Sequence, residues 1–364
     1  MSEPITDKTS EYGGNDALDF GVSEMQGWRK NHEDAHTATI LPGRITRAVF
    51  GVWDGHGGKE VALFCKNHYV DELQKLKEFK EENFPAALVR INHHIDNMLR
   101  LGVHGDELRS LTEKPKGSVQ EMQSKIKDKM SSAEGNGAIK KDDAVELMMM
   151  MLELKKITTA ENSAGASSSD GTPAPHPTDA GCTSVVAYVD GRHVYVANAG
   201  DSRAVLCVKG TAKPLSFDHK PTQEGELRRI TDAGGTVNAQ GRVNGNLNLS
   251  RCIGDLRYKV DAKLPPEAQI ITAQPDIMHH LLSEDDEFMV LACDGIWDVK
   301  TSQEVCDFVR SRLDDFPLHK IAEQLMDACI AEDPKLTMGI GGDNMTAMIV
   351  RWKDGWCSGA SFKK

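Results

Sequence analysis

The sequence predicts an α+β fold in which antiparallel β-sheets are covered by helices. Strand-like segments follow one another through hairpin signals such as Asp190-Gly191, and helical segments occur in pairs rather than alternating singly with strands. The 364 residues are 39% hydrophobic, which is enough to bury a sizeable core. These observations favour antiparallel sheets over a series of βαβ units.

Hydrophobic periodicity and turn signals place the elements along the chain. Residues 1–19 are polar and contain glycine, so we expect a loose lead-in before one domain at 20–352 and a tail at 353–364. The predicted strands are 20–26 (a short edge strand), 45–53, 183–189, 193–197, 203–208, 288–293 and 346–352. The predicted helices are 59–79, 83–101 with an interruption at Pro85, 223–233, 302–314 and 317–332.

Residues 102–178 differ in composition from the rest of this domain. A Lys-rich helical piece is predicted at 118–132, and a helix at 143–157 opens with a capping-box pattern. The tract 162–178 has too few apolar residues to order itself. We therefore predict an insertion, and binding of a regulatory partner is a candidate role for it.

The acidic balance of the chain limits its partners. Lys and Arg number 43 against 55 Asp and Glu, so the formal charge of −12 repels phosphate backbones and anionic lipid. We expect neither nucleic acid nor a membrane to be a partner. The eight cysteines form no Cys-x-x-Cys pair, which favours reduced thiols over disulfides or zinc. We expect a monomer in the cytoplasm, with the nucleus as the alternative location.

Four aspartates stand where apolar strands start or stop. Asp54 and Asp294 each end such a strand, Asp201 follows one and Asp343 precedes one. Each alone is typical of a turn. If their strand ends share one edge of the core, the charges require cations, and oxygen-only ligands indicate Mg²⁺ or Mn²⁺. Two such ions bridged by one carboxylate would lower the pKa of a water held between them.

A second polar group surrounds Glu33 and Asp34. Arg29 precedes them, and His56 lies in a glycine turn just after the first of the four aspartates. This group is either a solvated turn or a site in which Arg29 clamps a phosphate, the two acids order waters and His56 protonates a leaving oxygen. The sequence has no Cys-x5-Arg, phosphate-loop or Gly-x-Ser-x-Gly pattern, so no covalent nucleophile is indicated.

Seven short motifs occur in one order over about 260 residues. They are Arg29-x3-Glu33-Asp34, Asp54-Gly-His-Gly-Gly58, Gly181-Cys-Thr183, Asn198-Ala-Gly-Asp-Ser-Arg203, Ser250-Arg-x-x-Gly-Asp255, Asp294-Gly-Ile-Trp-Asp298 and Gly342-Asp-Asn344. Together they resemble the metal-dependent serine/threonine protein phosphatases of type 2C. The resemblance implies a four-layer α-β-β-α sandwich, in which two antiparallel sheets are flanked by helix pairs, and phosphoprotein substrates.

The same resemblance assigns roles to individual residues. It implies two Mg²⁺ or Mn²⁺ ions per domain, bridged by Asp54, with a weaker third ion. The other metal ligands would be the Gly55 carbonyl, Asp294 and Asp343, with Glu33 and Asp34 acting mainly through waters, and Asp201, Asp294 and Asp298 at the third ion. Arg29 would bind phosphate and His56 would be the general acid, supported by Asp255, Asn344 and Thr183, with a flap at about 225–250 beside the cleft.

Two alternatives to a protein phosphatase stay open. A catalytically silent binding module would keep the fold but lose at least one of Asp54, Asp294 or Asp343, and none is lost here. A metal-dependent phosphoesterase acting on small molecules would need the same ligands. The 102–178 insertion is longer than the resemblance leads us to expect.

Overall fold

Two large antiparallel sheets organise the computed structural model, which describes residues 3–112, 126 and 178–353. The chain divides into two compact units, Met1–Leu111 with Thr178–Lys364, and Thr112–Pro177. Every element below belongs to the first unit. Except for Ile126 and Thr178, the helices predicted at 118–132 and 143–157 and the tract 162–178 lie outside the described residues, as does nearly all of the 353–364 tail.

The larger sheet has six strands in the order β1-β2-β14-β13-β9-β10. Its central strands are buried on both faces, since β13 and β14 consist almost wholly of apolar residues that pair in register, with Val290 opposite Ile349. The bounds of the strands are Ile5–Gly14 (β1), Leu18–Gly27 (β2), Arg203–Val208 (β9), Thr211–Pro214 (β10), Asp286–Ala292 (β13) and Met345–Trp352 (β14).

The second sheet has five strands in the order β12-β8-β7-β4-β3. Its strands are Ala35–Leu41 (β3), Arg47–Trp53 (β4), Ser184–Asp190 (β7), His193–Ala199 (β8) and Asp276–Leu281 (β12). A small ladder of Gly55–His56 (β5), Gly181–Cys182 (β6) and Ile253–Gly254 (β11) connects three distant segments. This ladder places His56 and Gly181 side by side at the cleft.

The helices of the first unit fall into two groups and a few short pieces. Near the five-stranded sheet are Glu60–Lys75 (α1), Lys77–Lys80 (α2), Phe84–Arg100 (α3) and Gly105–Leu111 (α4). Later in the chain come Glu224–Asp232 (α5), Asp294–Trp297 (α6), Ser302–Arg310 (α7) and Leu318–Asp327 (α8). None of the helices in the described part of the chain is both long and apolar enough to cross a membrane.

Three apolar clusters show where the core lies. One joins residues of both sheets, and the rings of Phe20 and Phe50 meet there at 5.8 Å between centroids. A second packs α1 and α3 on the five-stranded sheet, and a third packs α7 and α8 on the six-stranded sheet. Fully burying a side chain such as Phe50 contributes about 1.5–3 kcal/mol of hydrophobic free energy.

Three details differ from the sequence-based prediction. The expected loose lead-in contains β1, which pairs along β2, and the predicted short edge strand at 20–26 is therefore an interior strand. Most β1 residues are exposed, so the strand shows no apolar alternation. Pro85 does not interrupt α3, because it lies in the first turn, where no backbone N–H donor is needed. Strands β3, β10 and β12 and the three short strands of the small ladder were not predicted.

Candidate metal centre and active site

An open cleft of about 690 Å³ lies where strands of both sheets end. Most of the residues singled out from the sequence line it, although they come from segments up to 315 positions apart. These residues are Arg29, Glu33, Asp54, Gly55, His56, Thr183, Asp201, Asp255, Asp294, Asp343 and Asn344. Asp34 is buried, and Asp298 contributes to the electrostatics of the same aspartates.

Backbone and side-chain hydrogen bonds fix Asp54 at the end of β4. The Asp54 N–H donates to Thr183 Oγ1 at 3.1 Å, and the Thr183 N–H donates to the Asp54 carbonyl at 2.9 Å. Thr183 Oγ1 also lies 2.7 Å from the Ser202 hydroxyl. The predicted supporting position of Thr183 is therefore a direct contact with Asp54. Gly55 follows, and a Cβ there would overlap the Glu33 carbonyl oxygen, so the turn has room only for glycine.

The carboxylates of the cleft repel one another. Burial raises the pKa of Asp54 well above its ordinary value, and the charges of Asp34 and Asp294 raise it further. Burial likewise raises the pKa of Asp294, with Asp201 and Asp343 adding to the effect. Such a group of buried acids is costly unless cations neutralise it.

Asp34 lies behind the cleft and is only 4% exposed. Thr346 Oγ1 donates to Asp34 Oδ2 at 2.7 Å, while Asp34 Oδ1 is buried without a hydrogen-bond partner in the described structure. Burial raises the pKa of Asp34 to about 6. A ligand atom of Asp34, one of Asp54 and the Cys293 thiol lie within 4.8 Å of one another. An unpartnered carboxylate oxygen of Asp34 beside the Asp54 carboxylate fits a hard divalent cation.

Arg29 and the Glu33 loop are held beside Asp343. The Arg29 guanidinium forms an ion pair with Asp343, and its side chain remains 60% exposed. Asn344 accepts from the Glu33 N–H at 3.0 Å and donates to the carbonyls of Gln26 and Asn31 at 2.7 and 3.0 Å. Glu33 Oε2 in turn accepts from a backbone N–H of the glycine turn at 3.3 Å. Asn344 thus ties the Glu33 loop to the segment that carries Asp343.

His56 pairs with Asp255 across the small ladder. His56 Nε2 is hydrogen-bonded to Asp255 Oδ2, and the Cys252 thiol donates to the same oxygen at 3.1 Å. Burial would raise the pKa of Asp255, but the hydrogen bond and charge of His56 outweigh it and the pKa is lowered. A Cβ on Gly181 would collide with both partners. Asp255 therefore contacts His56 directly, whereas the sequence had assigned it only a supporting place near the metals.

Lys220 is a site residue that the sequence reasoning missed. Its ammonium group forms an ion pair with Asp201, which is 2% exposed. Burial lowers the pKa of Lys220, but Asp201, Asp294 and Asp298 outweigh it and raise the pKa. Because 19 residues separate the two partners, no local pattern signals this pair.

Two arginines in the cleft wall were also missed. Arg242 and Arg257 line the cleft, and Arg242 donates to the Asn246 carbonyl at 2.6 Å. Arg257 stacks over the Tyr258 ring, 4.9 Å from its centroid. The first lies in the region predicted as a flap, but lone arginines in a glycine-rich loop carry no signal of their own.

The chain is similar to known proteins over nearly its whole length. A family model described as "Protein phosphatase 2C" matches residues 18–134 and 112–335. "Protein phosphatase 2C homolog 2" of Schizosaccharomyces pombe is 40% identical, covering 98% of this chain and 78% of that protein. "Probable protein phosphatase 2C 11" of Oryza sativa is 39% identical, covering 97% of this chain and 90% of that protein.

Solved structures show the same fold. "Crystal structure of a phosphatase from a pathogenic strain Toxoplasma gondii" superposes with a TM-score of 0.64 at 22% identity, covering 95% of this chain and 96% of that chain. "Crystal structure of serine-threonine phosphatase 2C from Toxoplasma gondii" superposes with a TM-score of 0.59 at 22% identity, covering 95% of this chain and 99% of that chain. The family model and the relatives agree with the seven motifs that occur in one order along the sequence. The chain therefore belongs to the protein phosphatase 2C family.

Proposed function

We propose that this protein is a metal-dependent serine/threonine protein phosphatase that hydrolyses phosphoserine and phosphothreonine without a covalent intermediate. The observation that carries the proposal is the convergence of Asp54, Asp294 and Asp343 in one open cleft together with Arg29. An anionic cleft cannot attract a phosphoryl group unless cations reverse its charge. Its volume of about 690 Å³ and its exposed arginine suit a phosphorylated segment of protein chain.

The residues that would hold two divalent cations are Asp54, Asp294 and Asp343 together with the Gly55 carbonyl. Glu33 and Asp34 lie close enough to act through waters, and Asp201 with Asp298 would hold a weaker third ion. All these donors are oxygens, which suits Mg²⁺ or Mn²⁺. When bound, such ions would supply charge neutralisation and an acidified water for direct displacement at phosphorus.

The residues of the chain itself supply binding and proton transfer. Arg29 presents an exposed guanidinium at the cleft and can hold two phosphoryl oxygens at once. Its ion pair with Asp343 holds the guanidinium group in the cleft in the absence of substrate. This arrangement favours phosphate esters over uncharged ones.

His56, which lines the cleft, would donate a proton to the leaving serine or threonine oxygen. Asp255 accepts a hydrogen bond from Nε2, so Nδ1 is the ring nitrogen left for proton transfer. The buried Asp255 carboxylate also fixes the orientation of the His56 ring, as a general acid requires. His56 and Asp255 together then define the proton donor of the reaction.

We also propose that the domain is the four-layer α-β-β-α sandwich implied by the sequence. The support is the set of three apolar clusters, one joining residues of the two sheets and one between each sheet and its helices. In such a stack the cleft lies at one end of the sheets, which is where Asp54 follows β4 and Asp294 follows β13.

Hydrolysis of a phosphothreonine peptide by the full chain tests the proposal. Phosphate release with Mg²⁺ or Mn²⁺ is expected, with loss of activity in chelator and a decrease of at least about a thousandfold in Asp54→Asn. Asp285→Asn, a surface change on the loop before β13, is the matched control and should retain activity. Activity that survives chelator, or survives Asp54→Asn, would overturn the proposal.

Comparing substrates separates the remaining alternatives. A protein phosphatase should have a higher kcat/KM on the phosphopeptide than on a sugar phosphate, and the reverse order would indicate a small-molecule phosphoesterase. A folded chain that binds Mn²⁺ but hydrolyses neither would be a binding module.

A further inference from the structure

A second group of side chains that could hold a metal ion comes from α1, from α4 and from the turn just before α4, and none of its members lines the cleft. It consists of His68, His104 and Glu107, whose ligand atoms all lie within 4.8 Å of one another. His68 Nε2 lies 2.8 and 2.9 Å from the two oxygens of Glu107, and His104 Nδ1 lies 3.3 Å from Oε2. Two imidazoles therefore converge on one carboxylate.

The distances from Glu107 to each histidine are close to those of a tetrahedral zinc site, and the two imidazole nitrogens lie within 4.8 Å of each other. Bonds of about 2.0–2.1 Å from Zn²⁺ to nitrogen or oxygen put neighbouring ligand atoms about 3.3 Å apart. The distance from His104 to Glu107 already has this value. The contact between His68 and Glu107 has to open by only about 0.5 Å, which a χ rotation of a surface Glu provides.

Packing holds the two imidazoles in place before any ion binds. The Phe64 ring is fully buried, and its centroid lies 4.3 Å from that of His68 and 5.0 Å from that of His104. Leu108 is 1% exposed and anchors α4 in the same apolar cluster as Phe64. The three ligand side chains remain 25–30% exposed, so an ion can reach them.

The donor set selects the kind of ion. Two neutral imidazole nitrogens and one carboxylate oxygen suit Zn²⁺ rather than Mg²⁺, and three protein ligands leave one position for water. We propose that His68, His104 and Glu107 form a zinc-binding site that links α4 to α1, separate from the oxygen-only centre in the cleft.

Cobalt spectroscopy of the full chain tests this site directly. The protein is freed of transition metals and kept in excess Mg²⁺, which occupies the oxygen-only centre, and is then titrated with Co²⁺. One equivalent should produce the intense visible d–d bands of four-coordinate Co²⁺, and Zn²⁺ should abolish them. His68→Ala and Glu107→Gln should each weaken binding by at least about tenfold. A cooperative melting transition in chelator shows that each variant is folded.

His94→Ala is the matched control, because His94 also pairs with a helix carboxylate, Glu72, but belongs to no candidate metal-binding group among the described residues. It should bind Co²⁺ as the wild type does. Absence of the four-coordinate spectrum in the wild type would overturn the proposal. The same spectrum and affinity in His68→Ala or Glu107→Gln would overturn it as well.

Discussion

The Asp255 carboxylate accepts a hydrogen bond from His56 Nε2, although 199 residues separate the two in the chain. Asp255 has a left-handed backbone conformation with φ of 48°, and its N–H donates to the Ala180 carbonyl at 3.0 Å. The contact exists because β5, β6 and β11 form one small ladder. The proposed proton donor and its carboxylate partner are thus brought together by tertiary structure rather than by a local motif.

Replacing this orienting residue should slow catalysis without abolishing substrate binding. We expect Asp255→Asn to lower kcat by about 10–100-fold and leave KM for a phosphopeptide nearly unchanged, because His56 loses the charged hydrogen-bond partner that orients its ring. Steady-state kinetics measures both constants. Asp232→Asn, at the exposed end of α5, is the control. An unchanged kcat in Asp255→Asn would show that the pair has no role in proton transfer.

The buried acid Asp34 should make the metal-free protein less stable at neutral pH than under mildly acidic conditions. Its pKa is raised from 3.8 to about 6, so the folded state binds a proton more readily than the unfolded state between these values. Asp34 therefore lowers the free energy of unfolding as the pH rises from about 4 to about 6, and the lost stability is not regained at higher pH. A shift of about two pKa units corresponds to about 3 kcal/mol.

Asp34→Asn should remove that part of the pH dependence. Denaturant unfolding in chelator at pH 5 and pH 7.5 gives the free energies of unfolding. The difference in free energy of unfolding between the variant and the wild type should favour the variant more at pH 7.5 than at pH 5. The Asn side chain can still accept the hydrogen bond from Thr346, so the two proteins differ mainly in the charge at this position. Equal pH dependence of the two proteins would contradict the raised pKa.

Lys220 should compete with the weakest metal ion for Asp201. Its ammonium group already pairs with that carboxylate, so a cation binding there has to displace it. We expect Lys220→Met to lower, by several-fold, the Mn²⁺ concentration needed to fill the weakest site, which calorimetry can measure. Lys213→Met, on β10 outside the cleft, is the control. Weaker or unchanged Mn²⁺ binding in Lys220→Met would show that the lysine does not compete.

The Thr183 hydroxyl should stabilise the fold around Asp54, because its oxygen accepts the hydrogen bond from the Asp54 N–H. Thr183→Ala leaves the Asp54 N–H without its acceptor, so we expect a loss of about 1–3 kcal/mol in the free energy of unfolding. Thr183→Ser keeps the hydroxyl and should recover most of this loss, although it removes a buried methyl group. Equal destabilisation in the two variants would assign the effect to packing instead of the hydrogen bond.

The sequence indicated most of the cleft because its acids carry a local signal. Asp54 and Asp294 each end a run of buried β residues, and Asp343 precedes another, so shared strand ends bring them together. Lys220 and the contact between His56 and Asp255 carry no such signal, since each depends on pairing between distant segments. The position of a ligand at a strand end is predictable, whereas its ion-pair partner across the fold is not.

The strands that were missed had no simple pattern of burial. In β1 nearly every residue is exposed, and β12 has no fully buried residue along its length. Both lie at sheet edges, where the backbone hydrogen bonds to one neighbour rather than side-chain burial define the strand. Central strands such as β13 and β14 were recognised because they are continuous apolar runs.

An anomalous difference map from crystals soaked with Mn²⁺ tests the central claim most directly. We predict two strong peaks in the cleft, both next to the Asp54 carboxylate, with Asp294 and Asp343 beside one of them. The same soak of Asp54→Asn should lose at least one peak. A map with no manganese between these three aspartates would contradict the account.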